Sequence, residues 1–384
     1  MGGESSKREY VCVEGSPFNR GLIHGETLKT EICELVALWK SHIGDSTGMP
    51  AEDFIPKFLN QTDYTSAIER YTPGLLEEVK GIAEGSGVDS DTMFTFQLLD
   101  ELILNAGDVA AHCSSIGVKK TAAKPALLGQ NWDIESFVHG FQTVLHIKEE
   151  GSDLESFVFT YAGLIAAFGV NNKGVGVCLN SLPILNHGRE GLPVAYVIRG
   201  ILDSSTRDDA VHFIETVKHA SPQNYVIGDP EQVVDLECSA GEVAVFSNDG
   251  SEGVIFHTNH PLENDDYSPN YLTLLMDRER GLKTDEDYHD AVEFLEGNSG
   301  TRFSTLKKEL GSLSAEAVTV DLIKSILASH HSPEHPICMD LGDEKKLASI
   351  VSTVMELSGD PQFHVAFGPP DVTPYKTYTF SGSC

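Results

Sequence analysis

The sequence predicts an α+β protein built in layers, sheet upon sheet with helices outside. Three observations carry that reading. The first hundred or so residues have helical periodicity. Beyond Cys113 come short runs rich in Val, Ile, Phe and Tyr, punctuated by glycine, asparagine and aspartate. Turns of hairpin type, such as Asn172-Lys173-Gly174 and Asn248-Asp249-Gly250, join those runs and imply antiparallel pairing.

In chain order, the first predicted helix covers 20–42, where Leu28, Ile32, Leu35, Val36 and Trp39 recur at spacings of three and four. A second opens near Pro73, carries Leu75, Leu76, Val79 and Ile82, and stops at Gly85 and Gly87. A third is opened by Asp89-Ser90-Asp91, runs through Phe94, Leu98, Leu99 and Leu102, and ends at Gly107. Strands follow at 126–128, 143–148, 156–161, 174–182, 224–228, 233–237, 243–247 and 254–258, with two more at 363–367 and 376–380. Helical periodicity returns at 194–203, 207–219, 270–280, 285–295 and 322–330.

The chain has 384 residues, with 27 basic and 58 acidic side chains and a formal net charge of −31. Its composition suits one globular domain over 1–384, with no repeat or linker to divide it. The charge excludes a general affinity for nucleic acid or an anionic membrane, both of which need a basic face. No apolar run is long enough to span a bilayer, and the first ten residues lack the apolar stretch of a secretory leader. The seven cysteines, at 12, 33, 113, 178, 238, 338 and 384, are odd in number and widely spaced. That argues against a disulfide framework or a zinc ribbon and points to a reducing, cytoplasmic setting.

The informative stretch is Ala110-Ala111-His112-Cys113-Ser114-Ser115, followed by Gly129-Gln130-Asn131-Trp132-Asp133, where helical texture gives way to strand texture. A lone cysteine is ordinarily a small buried hydrophobe. Its place ahead of a β-rich region, with a polar Gln-Asn-Trp-Asp run downstream, makes Cys113 a candidate nucleophile.

With the blocks Gly15-Ser16-Pro17-Phe18, His24-Gly25, 78–85, Cys113-Ser114-Ser115, 129–133, 169–175, His257-Thr258-Asn259-His260 and Pro336-Ile337-Cys338, the sequence resembles the acyl-coenzyme A:6-aminopenicillanic acid acyltransferase family of cysteine-type N-terminal-nucleophile hydrolases. The resemblance spans nearly the whole chain and implies a four-layer αββα sandwich with an N-terminal helical segment. It also implies a precursor that cuts itself between His112 and Cys113, leaving an α chain of 1–112 and a β chain of 113–384. Freed of its peptide bond, Cys113 owns a thiol and an α-amine. An α-amine with a pKa of about 8 can accept the thiol proton. One residue then supplies both nucleophile and base.

By the same resemblance, Asp133 orients the free amine and Asn259 donates its side-chain amide to the oxyanion. Asn131 and Trp132 shape the acyl pocket, Asn180 stands at a strand end near it, and Arg302 contacts a carboxylate or Asp133. Two departures stand out. The family archetype has glycine before its cysteine where this chain has His112, and a further arginine of the archetype falls here near Lys346-Leu347.

The expected activity is cleavage of a linear amide in a small N-acyl amine or N-acyl amino acid, through a thioester and without a cofactor. Acyl-coenzyme A-dependent transfer to an amine is the alternative within the family. An unprocessed, catalytically silent binding protein is the alternative outside it. The expected partners are the small-molecule substrate and the two chains of one precursor, with homo-oligomer formation left open. No metal is expected: His330, His331 and His335 lie in a proline-containing segment whose spacing fits no strong zinc signature. Asp340, Asp343 and Glu344 read as a solvated charged loop.

Overall fold

The computed structural model describes residues 8–106, 112–247, 252–282, 286–342 and 347–381. Gly107, Asn248-Asp249-Gly250, Asp285, Asp343, Glu344 and Lys346, all used in the sequence reading, lie outside them.

A first strand, β1 (Tyr10–Gly15), precedes a helical block of α1 (Pro17–Thr27), α2 (Lys29–Thr47), α3 (Ala51–Leu59), α4 (Thr65–Tyr71), α5 (Pro73–Ser86), α6 (Ser90–Phe96) and α7 (Leu99–Ala106). The single helix predicted over 20–42 is two helices, α1 and α2, parted at Leu28, whose φ of −111° and ψ of 23° leave the helical region. The apolar stripe through Ile32, Leu35, Val36 and Trp39 is buried as its spacing requires. The helix predicted from Pro73 is α5, closed by Gly87 at a φ of +80°, a left-handed cap that glycine favours. The third begins as predicted, with the Asp89 carboxylate accepting from the Thr92 N–H at 2.9 Å. It then breaks between α6 and α7 because the Gln97 side chain takes up the backbone of another segment, bonding Gly163 O and Ile165 N at 2.9 Å each.

α1 and α5 touch backbone to backbone. A Cβ at Gly21 would stand 1.9 Å from Glu78 O, and one at Gly81 would stand 2.2 Å from Phe18 O, so only glycine admits the crossing. That approach brings Arg20 and Glu78 together.

The rest of the chain runs β2 (His112–Val118), β3 (Ala126–Glu135), β4 (Gln142–Glu149), β5 (Glu155–Tyr161), β6 (Phe168–Asn171), β7 (Gly176–Ser181), α8 (Val194–Leu202), α9 (Arg207–Thr216), β8 (Gln223–Gly228), β9 (Val233–Cys238), β10 (Val243–Phe246), β11 (Val254–His257), α10 (Pro269–Glu279), α11 (Glu286–Leu310), α12 (Val320–Leu327), β12 (Leu347–Leu357), β13 (Gln362–Ala366) and β14 (Lys376–Thr379). One sheet has the order β1-β4-β5-β6-β7-β8-β9-β10 and the other β11-β2-β3-β12-β13-β14. β2 and β3 lie across β7 and β8 face to face, with α8 and α9 against the larger sheet and α11 and α12 against the smaller. The layers are therefore αββα. A separate apolar cluster that includes Ile116, Phe256, Ile323, Leu327 and Val354 fills the space between the smaller sheet and its helices.

Four differences from the sequence reading bear on the site. The runs 243–247 and 254–258 are not a hairpin: β10 pairs with β9 in one sheet and β11 with β2 in the other, so the chain crosses between layers there. β1, a strand the sequence reading did not place, pairs with β4 in parallel, whereas the strand runs beyond Cys113 were read as antiparallel. The helix predicted to end at Leu295 continues to Leu310 as α11, because Gly297 and Gly300 face open space and cost only propensity. β12 was not predicted at all, since a strand covered on both faces has no apolar-polar alternation to read.

Among the described residues no helix is long and apolar enough to cross a membrane. Cys33, Cys113, Cys178, Cys238 and Cys338 are free, whereas Cys12 is disulfide-bonded, a departure from the fully reduced set expected.

Candidate active site

β2 begins where the described chain resumes, and its first residues pair with β3: His112 stands opposite Asp133, Cys113 opposite Trp132, Ser114 opposite Asn131 and Ser115 opposite Gln130. Directly opposed residues share a face and successive residues alternate. Cys113, Ser115, Gln130 and Trp132 therefore look into the space between the sheets. His112, Ser114, Asn131 and Asp133 look toward α11 and α12.

The contacts obey that division. Ser115 Oγ donates to Asn180 Oδ1 on β7 at 2.6 Å, and Gln130 bonds both N and O of Leu179 at 3.0 and 2.8 Å, docking one sheet onto the other. On the opposite face, Asn131 Nδ2 donates to Leu327 O and Ile337 O at 2.7 and 2.9 Å, so its amide holds the segment after α12. Trp132 stacks on Tyr161 with ring centroids 5.9 Å apart and planes 5° from parallel.

The Cys113 N–H donates to Asn259 Oδ1 at 2.7 Å, and Arg302 Nη2 donates to the same oxygen at 2.8 Å. Two donors on one oxygen fix the orientation of the Asn259 amide. Its Nδ2 then gives one proton to Ser181 O, 3.1 Å away. Arg302 Nη1 reaches Cys113 O and, at 3.1 Å, Ser114 Oγ, while Nε donates to Asn298 Oδ1 at 2.8 Å. Asn298 Oδ1 also meets His112 Nδ1 at 3.2 Å. Ser299 Oγ accepts the Asn259 N–H at 2.7 Å and lies 2.7 Å from His260 Nδ1. Residues 298, 299 and 302 thus form one face of α11 that grips both sides of the bond between His112 and Cys113.

Asp133 is buried. Ser349 Oγ on β12 donates to its Oδ1, and Oδ2 has no protein partner among the described residues. Burial raises the Asp133 carboxyl to about 7 against the opposing pull of Ser349 and Arg302. Burial, with the Asp133 charge adding to it, pushes the Cys113 thiol up to about 12. Burial and the Arg302 charge bring His112 down to about 3, a neutral imidazole at neutral pH. In the intact chain, then, the thiol keeps its proton.

One chamber opens on this cluster and a second adjoins it. The first is lined by residues including Cys113, His112, Asp133, Ser181, Asp100 and Trp132. The other is lined mainly by apolar and aromatic side chains such as Trp39, Phe96, Phe137, Trp132 and Tyr161. Asp100, Ile103, Trp132, Ile134 and Glu135 belong to both.

The structure therefore gathers Cys113, His112, Asp133, Asn259 and Arg302 at one point and sets Trp132 in the wall. Asn180 reaches it through Ser115, and the Asn131 amide is spent on the carbonyls of Leu327 and Ile337. Arg302 meets carbonyl, hydroxyl and amide oxygens rather than a carboxylate. Leu347 lines the smaller chamber where the archetype's further arginine was expected. Sequence reasoning did not single out Asn298, Ser299, Ser349, Ser181 and Asp100. The i, i+4 spacing of Asn298 and Arg302 was the one signal available for that set.

The family model described as "Acyl-coenzyme A:6-aminopenicillanic acid acyl-transferase" matches residues 120–346, more than half of the chain. Over 269 residues the chain is 25% identical to the acyl-coenzyme A:6-aminopenicillanic-acid-acyltransferase 40 kDa form of Emericella nidulans, covering 70% of this chain and 73% of that one. Over 227 residues it is 27% identical to protein dcd1A of Dictyostelium discoideum, covering 52% of this chain and 51% of that one. Penicillin V acylase from Agrobacterium tumefaciens is a similar solved structure, with a TM-score of 0.40, 13% identity and coverage of 70% of this chain and 86% of that one. The chain belongs to the acyl-coenzyme A:6-aminopenicillanic acid acyl-transferase family and is an enzyme of acyl-amide chemistry, an amidase or an N-acyltransferase.

Proposed function

We propose that the chain is a self-processed cysteine amidohydrolase, cutting its own bond between His112 and Cys113 and then opening the linear amide of a small N-acyl amine or N-acyl amino acid. The observation that carries this reading is the seat of the Cys113 nitrogen, 2.7 Å from Asn259 Oδ1 in a cleft that Asp133 also lines.

In processing, Cys113 Sγ attacks the His112 carbonyl, the C–N bond breaks, and the acyl group passes to sulfur. Water then releases the His112 carboxylate and leaves Cys113 with a free thiol and amine. The buried Asp133 carboxylate stabilises the ammonium that forms when this amine takes the thiol proton. In turnover the thiolate attacks the substrate carbonyl, the second Nδ2 proton of Asn259 faces the developing oxyanion, and the ammonium returns its proton to the leaving amine. Water resolves the thioester.

Water rather than acyl-coenzyme A chemistry is favoured by charge. The described lining of both chambers carries Asp100, Glu135 and, in the smaller one, Asp133, with no lysine or arginine to meet phosphates. The aromatic chamber suits an apolar acyl group. A reducing, cytoplasmic setting suits a working thiol, with Cys12 the described cysteine drawn out of that pool.

Denaturing electrophoresis with N-terminal sequencing tests the reading. Processing predicts bands near 12 and 29 kDa from the 41.7 kDa chain, the larger one starting at Cys113. One uncut band together with persistent amidase activity would overturn it. A single band without activity on a panel of N-acyl amines would favour the silent binding protein.

A further inference from the structure

The segment after α12 folds back on itself, the Cys338 N–H bonding Ser329 O at 3.1 Å, so that Cys338 comes to lie beside His330. The loop after β13 delivers Asp371 to the same place. His330 Nε2 is 3.2 Å from Asp371 Oδ2, Cys338 Sγ is 3.4 Å from Asp371 Oδ1, and the ligand atoms of all three lie within 4.8 Å of one another. Asp340 Oδ1 is 3.7 Å from His330 Nε2.

We propose that His330, Cys338 and Asp371, with Asp340 in reach as the fourth ligand, form a zinc-type metal site separate from the catalytic cleft. Imidazole nitrogen, thiolate sulfur and carboxylate oxygen are the donors zinc takes. Tetrahedral bonding at zinc's usual bond lengths separates neighbouring ligand atoms by about 3.3–3.6 Å. The separations to the two Asp371 oxygens, 3.2 and 3.4 Å, are close to that size, and one ligand atom from each residue lies within 4.8 Å of the others, so side-chain shifts about a cation close the set. No spacing rule finds the set, because Asp371 lies 33 residues from Cys338 in the chain.

The site has a connection to the catalytic strand. Met339, next to Cys338, donates its N–H to Ser349 Oγ at 2.9 Å, and Ser349 Oγ donates to Asp133. A metal at Cys338 therefore pins the backbone that holds Ser349, and through it the Asp133 carboxylate. The site is independent of whether water or an amine accepts the acyl group.

The test is a cobalt(II) titration of reduced full-length protein carrying Cys113→Ala, which removes the catalytic thiol as a rival ligand. The expected result is a single equivalent bound, with a thiolate-to-cobalt charge-transfer band and tetrahedral d–d bands that zinc(II) displaces. Cys338→Ser should abolish the charge-transfer band. His330→Ala and Asp371→Ala should each weaken binding about tenfold or more, whereas exposed His331→Ala should not. Absence of the thiolate band in the parent, or its survival in Cys338→Ser, overturns the proposal. Should Cys338→Ser fail to fold, His330→Ala on its exposed side chain decides: unchanged cobalt affinity overturns the site, and weakened affinity supports it.

Discussion

Two of the buried charged clusters in this molecule are built on opposite principles. Around Glu78, the carboxylate accepts from Arg20 Nε and Nη2 at 3.1 and 2.9 Å and from Arg199 Nη1 and Nη2 at 2.6 and 3.1 Å. Arg20 Nη1 also bonds Gly15 O at 3.0 Å. Burial alone would raise the Glu78 carboxyl, but the two guanidinium groups outweigh it and hold it below its ordinary value. Around Cys113, one Asp133 oxygen and His112 Nε2 have no protein partner among the described residues. Burial there outweighs the pull of Ser349 and Arg302, and the thiol and carboxyl stand far from their ordinary values. A fully paired cluster fastens helices together, whereas an unpaired one keeps groups ready for a reaction.

Four substitutions sharpen that contrast. Cys113→Ala should leave a single uncut band and lower turnover of an N-acyl amine by on the order of 10⁴-fold or more, because nucleophile and base go together. Amine release equal to that of the unaltered chain would remove Cys113 from the chemistry. Glu78→Gln strands two buried arginines and should cost about 3 kcal/mol in urea unfolding, with any folded fraction still cut at Cys113. An unchanged midpoint would mean that the paired cluster fastens nothing.

Asn259→Ala removes one oxyanion donor and should lower kcat by about 10²- to 10³-fold with KM nearly unchanged. A rise in KM alone would assign it to ground-state binding. The smallest effect concerns pH. The folded Asp133 carboxyl is raised to about 7 from an ordinary 3.8, so the folded chain holds a proton there that the unfolded chain has released. Its stabilising effect is complete below about pH 4 and is lost as pH rises through 7. In a Cys113→Ala background, adding Asp133→Asn should remove a decline of about 2 kcal/mol between pH 5 and 8. Parallel stability curves for the two proteins would contradict the raised carboxyl.

The legible parts of the sequence were those with local cause. The stripe through Ile32 and Trp39, the cap at Asp89 and the stop at Gly87 each depend on residues within a few positions. So did the layered architecture, which follows from strand runs and grouped helices. What stayed hidden depends on partners far along the chain. Gln97 breaks a helix by binding Gly163 and Ile165, Ser349 matters only because β12 pairs with β3, and the Asn131 amide is taken up by the distant carbonyls of Leu327 and Ile337. The candidate catalytic cluster was reached through family blocks rather than periodicity. No pattern within 298–302 announces that its face of α11 meets residue 113.

The parallel seam between β1 and β4 has a consequence for the life history of the enzyme. β1 lies ahead of residue 113 and β4 behind it, so a severed molecule would keep a border strand contributed by its smaller fragment. Folding, a single-chain event before the cut, would become an encounter between two polypeptides after it, and dilution would oppose recovery from denaturation. The mature enzyme would then persist by resisting disassembly rather than by finding its shape again.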